Sequence, residues 1–112
     1  MKIERYTTPD GKLTLVVESD GEEFTLWFEG YPARVFGLAI ATLRHEPDEE
    51  SAVRDFLSDL FDNEAPIIIK KKNDVVVDVW PHEDPEVGPP IVNPPAGESF
   101  ELRFWSGEKK NA

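Results

Sequence analysis

From Leu13 to Phe28 apolar residues alternate with polar ones, and the run is broken once, at Asp20-Gly21. A period of two predicts a β-hairpin. A two-residue turn at Asp20-Gly21 pairs Val17 with Phe24, Leu15 with Leu26 and Leu13 with Phe28, giving one wholly apolar face. The other face then carries Val16, Thr14, Thr25, Trp27 and two facing acids, Glu18 and Glu23. Like charges in register cost stability, although water screens them. A slip of one residue exchanges the two faces, so the register is strongly specified. Upstream, IERYTTPDGK reads as a shorter strand and a Pro9-Asp10-Gly11 turn.

The period then changes. YPARVFGLAIATLRH predicts a helix with Pro32 near its first position and a stripe of Val35, Phe36, Ala39, Ile40 and Leu43. PDEESAVRDFLSDLFDN predicts a second helix, capped by Asp48 or Ser51, with Val53, Phe56, Leu57, Leu60 and Phe61 facing inward. Pro66 bars its continuation.

PIIIKKKNDVVVDVW returns to strands. A three-residue loop, Lys72-Asn73-Asp74, sorts its faces best: Ile67, Ile69, Val75, Val77 and Val79 with Lys71, against Ile68, Lys70, Val76, Asp78 and Trp80. Six of the ten prolines fall in residues 81–97, which predicts a stiff loop rather than a strand. SFELRFW closes as a strand with Phe100, Leu102 and Phe104 inward and Glu101, Arg103 and Trp105 outward, before a frayed tail over 106–112. The expected fold class is α+β: one domain over residues 1–112, an antiparallel sheet of about five to six strands, and both helices packed on one face. The element order is a β-meander, two helices, a hairpin and a final strand.

Composition narrows the function. The chain has 112 residues, enough to bury a real core, and no cysteine, which excludes disulfides, zinc–thiolate sites and thiol nucleophiles. MKIERYTT lacks the apolar stretch of a signal peptide, and no apolar run approaches the ~18 residues of a membrane span. A cytoplasmic protein is expected, with no membrane partner. Twenty-three acids against 12 bases leave a net charge of −11, which argues against direct nucleic-acid binding and for a basic partner.

Strand parity places Trp27, Trp80 and Trp105 on one face, opposite the helices, joined by Val16, Ile68 and Val76. Exposed apolar patches of that size mark interaction surfaces unless something covers them. Three readings stand: the proline-rich loop folds over the indoles as a lid, the face makes a homodimer, or it binds a protein or sugar-like ligand.

VWPHEDPEV holds one of the chain's two histidines, His82, beside Glu83 and Asp84. Adjacent residues of an extended segment point apart and no His-x-x-x-His pair exists, so no metal site is expected. The serines lie in no Gly-x-Ser-x-Gly elbow, and no glycine loop is built to cradle phosphate. No cofactor is expected and no catalytic residue is singled out.

The acids cluster instead. Residues 46–64 hold eight of them (Glu46, Asp48, Glu49, Glu50, Asp55, Asp59, Asp62, Glu64) against Arg54 alone. Asp55, Asp59 and Asp62 follow i, i+4, i+7 spacing, one stripe opposite the predicted core face. Successive stripe residues rise about 6 Å, so the ladder can imitate phosphates in a basic groove. An ordinary solvated helix face is the plainer reading of such a run. The functional expectation is a non-enzymatic acidic inhibitor or immunity-type protein, of the anti-nuclease or anti-CRISPR sort. It would bind a basic protein, a nucleic-acid-binding enzyme for instance, through Asp48, Glu49, Glu50, Asp55, Asp59, Asp62 and Glu64. The alternative is a binding or dimerising module using Trp27, Trp80, Trp105 and His82, and the third is a small enzyme with carboxylate chemistry.

Overall fold

The computed structural model describes residues 2–82 and 96–108. The elements in order are β1 (Lys2–Thr7), β2 (Thr14–Ser19), β3 (Phe24–Phe28), β4 (Val35–Phe36), α1 (Gly37–Leu43), α2 (Glu49–Phe61), β5 (Ile67–Lys72), β6 (Val75–Pro81) and β7 (Glu98–Arg103). The class is α+β, as the pattern predicts. The single sheet is not found: the strands form two antiparallel sheets, β1-β2-β3-β4 and β6-β5-β7.

The first hairpin pairs Ser19 with Phe24, Val17 with Leu26 and Leu15 with Phe28. Its connection is therefore the four-residue loop 20–23 rather than a two-residue turn. Asp20 causes the lengthening: its Oδ1 accepts from the backbone N–H of Glu22 at 3.0 Å and of Glu23 at 2.8 Å. The shift moves the pairing by an even number of residues, so the inward set survives and Leu15, Val17, Leu26 and Phe28 are all in the core. Glu18 now lies opposite Thr25, and the expected Glu18–Glu23 clash does not exist.

The first predicted helix begins too early. Val35 and Phe36 are strand, pairing with Leu26 and Thr25, and only Gly37–Leu43 is helical. β-Branched Val35 suits the strand. Gly37 suits the junction, because a Cβ there would meet Glu49 Oε1 at 2.5 Å and Phe24 Cβ at 2.9 Å. The buried face of α1 is Gly37, Ile40 and Ala41, while Phe36, Leu38 and Leu43 are exposed.

α2 matches its prediction closely. Asp48 is the N-cap, accepting from Ser51 N at 3.2 Å and from Ser51 Oγ at 2.7 Å. Ala52, Val53, Phe56 and Leu60 are buried against the first sheet, with Leu57 and Phe61 packed at the margin. The C-terminus closes as a Schellman motif: Asn63 takes φ +62°, Glu64 N donates to Asp59 O at 2.8 Å and Asn63 N to Leu60 O at 3.3 Å.

In the second hairpin Asn73 and Asp74 both have positive φ and form a two-residue primed turn, with Lys72 opposite Val75. A bulge between Lys70 and Lys71 absorbs the odd residue. Ile68 and Trp80 share a face as predicted; beyond the bulge Lys71 lies opposite Val76 rather than sharing a face with Val75. The final strand is inverted relative to its prediction. Arg103 pairs with Ile67 on the core side, and Leu102 and Phe100 pair with Ile68 and Lys70 on the other. Arg103 is buried because it is satisfied: Nη1 meets Asp10 Oδ2 at 3.0 Å, Nε donates to Phe104 O and Nη2 to Trp105 O. Asp10 is held well below its ordinary range, chiefly by the Thr8 hydroxyl, then by Lys12 N–H and Arg103.

The second sheet joins the first through Ile67 and Val79, which enter the common core. Ala33 N, in the connection before β4, donates to Asp78 Oδ1 on β6 at 3.1 Å. The predicted proline-rich loop lies outside the described residues from 83 to 95, as do residues 109–112 of the predicted tail. Residues 104–108 are a closed turn, with Phe104 N donating to Glu108 O at 2.7 Å.

Candidate functional site: an acidic surface around the second helix

The predicted acidic stripe divides into acids that the fold uses and acids that it leaves to solvent. Asp48 is occupied as the cap, and Ser51 holds its carboxyl below the usual carboxylate range. Glu49 reaches inward, its Oε1 accepting from Phe24 N at 2.9 Å, so it fastens the loop end of the first hairpin to the first turn of α2. Asp59 pairs with Arg44 Nη2 at 2.5 Å, and the guanidinium lies 5.7 Å from the Phe56 ring centroid. Glu50 pairs with Arg54 at 2.6 Å, an exposed i,i+4 bridge worth a few tenths of a kcal/mol. Asp55, Asp62 and Glu64 are exposed.

Two carboxyl–carboxyl contacts complete the surface. Asp55 pushes Glu46 up from its ordinary value, first by sharing a hydrogen bond and then by its charge. Glu46 Oε2 is buried and without a donor among the described residues. Glu64 is likewise pushed up, by a hydrogen bond with Asp59 and by its charge. Like charges this close favour the protonated form of one partner.

The fold adds acids that spacing along one helix does not reveal. Because Glu49 binds Phe24 N, the tip of the first hairpin stands beside the N-terminal half of α2, and Asp20, Glu22 and Glu23 are exposed there. Asp20 and Glu50 line one groove of about 600 Å³ between β1 and α2, together with Glu4, Arg54, Val53 and Leu57. The acidic run at the hairpin tip was visible in the sequence; its position beside the helix was not.

The predicted tryptophan face is dispersed. Trp105, two residues past Arg103, is on the same core side of the inverted final segment and is buried, with its ring 4.7 Å from Phe61, itself 5.1 Å from Tyr6. Trp80 stands edge-on to Phe100 at 6.4 Å on the second sheet. Trp27, on the first sheet, is stacked under Arg34 at 4.7 Å. Val16 and Ile68 are buried rather than part of an open patch. His82 is half-buried and its backbone N–H donates to Pro66 O at 2.9 Å; Glu83 and Asp84 lie outside the described residues.

Among the described residues no group of three His, Asp or Glu side chains is placed to hold a metal ion, and no helix is long and apolar enough to cross a membrane. No protein-family model, curated protein or solved structure matches this chain.

Proposed function

We propose that the chain is a non-enzymatic acidic binding protein that occupies a basic surface of a partner protein, in the manner of an inhibitor or immunity protein acting in the cytoplasm. The observation that carries this reading is the set of acids that stay exposed: Asp62 on α2, Glu22 and Glu23 on the hairpin tip, and Asp55 beside Glu46, in a chain of net charge −11. An acidic field of this kind accelerates encounter with a basic surface and fixes orientation on it. A basic groove that ordinarily receives nucleic acid is the natural target. Asp59 drops out of the contact set, because Arg44 already holds it. Partner capture from lysate by wild type beside Asp55→Lys/Asp62→Lys tests the proposal. The variant should lose the partner, and wild-type capture should weaken steeply with salt; retention by both would reject it.

A second reading rests on the outer face of the first sheet. Ile3, Glu18, Thr25 and Phe36 form one cross-strand row there, and Ile3 and Phe36 are 48% and 58% exposed. Trp27 shares this face with Thr25. That supports a homodimer through the sheet face, with Trp27 as the surviving member of the predicted aromatic surface. Sedimentation of wild type beside Phe36→Lys decides it: a dimer that dissociates in the variant supports the reading, and a wild-type monomer rejects it.

A further inference from the structure

The groove between β1 and α2 has a feature that the acidic helix alone does not. β1 is the edge of its sheet, and among the described residues only β2 pairs with it. Its inward side chains, Lys2, Glu4 and Tyr6, form one wall of the groove; α2 supplies Glu50, Val53, Arg54 and Leu57 to the other. Val17 and Ser19 of β2 and Phe24 of β3 complete its lining, and its volume is about 600 Å³. An edge strand presents a row of unpaired N–H and C=O groups. A groove that runs beside such an edge suits an extended chain, which supplies backbone hydrogen bonds along the edge and a side chain into the groove at every second residue, about 7 Å apart.

Charge selects among extended chains. The mouth carries Glu4, Glu50 and Asp20 against Lys2 and Arg54. Both cations are already held, Lys2 by Glu4 at 2.9 Å and Arg54 by Glu50 at 2.6 Å. Exposed pairs of this kind are worth little, so a guest lysine or arginine displaces them at small cost. The charged inward residues of β1 also repel a purely apolar strand. The Tyr6 hydroxyl donates to Glu4, which keeps that carboxylate charged below its ordinary value and raises the phenol to about 12.

We propose that this groove receives an extended basic segment of a protein partner as an added strand on β1, with an apolar side chain seated between Tyr6 and Leu57 and flanking cations on Glu4 and Glu50. This rests on the acidic-binder reading and names the form of the partner's contact.

The test uses the intact ¹⁵N-labelled protein and a short synthetic peptide alternating lysine with leucine. The second arm is the same peptide N-methylated at alternate backbone nitrogens. The native-backbone peptide should shift the amides of β1 and of Val53 to Leu57, and N-methylation should weaken binding about tenfold or more, ~1.4 kcal/mol. N-methylation changes the peptide and not the protein, so a folding defect cannot imitate it. Glu4→Lys, at a half-buried position on the wall of the groove, should weaken the unmodified peptide similarly. Equal affinity of the two peptides, shifts confined to other surfaces, or no binding would each overturn the proposal. The outcomes separate from those of the helix reading: peptide binding at β1 with partner capture indifferent to Asp55→Lys/Asp62→Lys keeps the groove and rejects the helix, and the reverse pattern does the opposite.

Discussion

At the start of α2 the acids are building material. Asp48 caps the helix and Glu49 holds the loop end of the first hairpin. Toward its end the acids carry charge that the fold tolerates rather than needs: Asp62 faces water and Glu64, just past the helix, is crowded against Asp59, as Glu46, ahead of the cap, is crowded against Asp55. The two ends look alike as sequence. What separates them is whether an N–H lies within reach. A helix N-terminus has unsatisfied donors to offer a carboxylate and a C-terminus has none. Asp62 and Glu64 therefore sit at the unfavourable end of the dipole, and a basic partner would remove that penalty.

The comparison can be broken at several strengths. Phe56, at the middle of α2, is fully buried, so Phe56→Ala should cost about 3–5 kcal/mol in denaturant unfolding. Glu49→Ala should cost about 1–3 kcal/mol, because it strands the partly buried Phe24 N–H, without weakening partner capture directly. Glu46→Gln should raise the melting temperature at neutral pH, since the amide can donate to Asp55 where the carboxylate cannot. Asp55→Lys/Asp62→Lys should leave the fold at least as stable as wild type, with a gain of no more than about 1 kcal/mol, and still abolish capture.

Acid titration sharpens the same contrast, because the two groups of acids have opposite signs. Glu46 and Glu64 have folded values raised above the ordinary 4.5, so they bind protons more readily folded than unfolded. Their contribution is fully present below 4.5 and is lost as pH rises through the raised values. Asp10 and Asp48 are lowered from 3.8, so their contribution is present above 3.8 and is lost as pH falls through their folded values. The melting temperature should climb as pH falls from neutrality toward 4.5, then drop as these aspartates protonate. Glu46→Gln should flatten the climb and leave the drop.

Much of this was legible in the chain because it depends on near neighbours. The limits of α2, its Asp48 cap and its inward residues follow from helical spacing and capping chemistry. The inward set of the first hairpin survived a wrong turn length, since a shift of two residues keeps every side chain on its face. The second hairpin was less forgiving, as its bulge shifts the pairing by one. The inversion of β7 lay beyond local reasoning: Arg103 points inward because Asp10, distant in sequence, meets it there. Trp105 was misplaced by the same inversion, since at the parity of Arg103 it enters the core. Val35 and Phe36 fit a helical stripe and a strand equally well, and pairing with Leu26 and Thr25 decided between them. At the site, the acids themselves were plain, but their division into used and unused depended on Arg44, Phe24 N and the hairpin tip.

The most direct measurement is partner capture by three proteins in parallel at physiological salt: wild type, Glu49→Ala and Asp55→Lys/Asp62→Lys, each with its melting temperature recorded. The account predicts that Glu49→Ala melts early yet retains the partner below its transition, while the double reversal melts no earlier than wild type and captures nothing. A double reversal that keeps the partner, or wild type with no partner to lose, would contradict it.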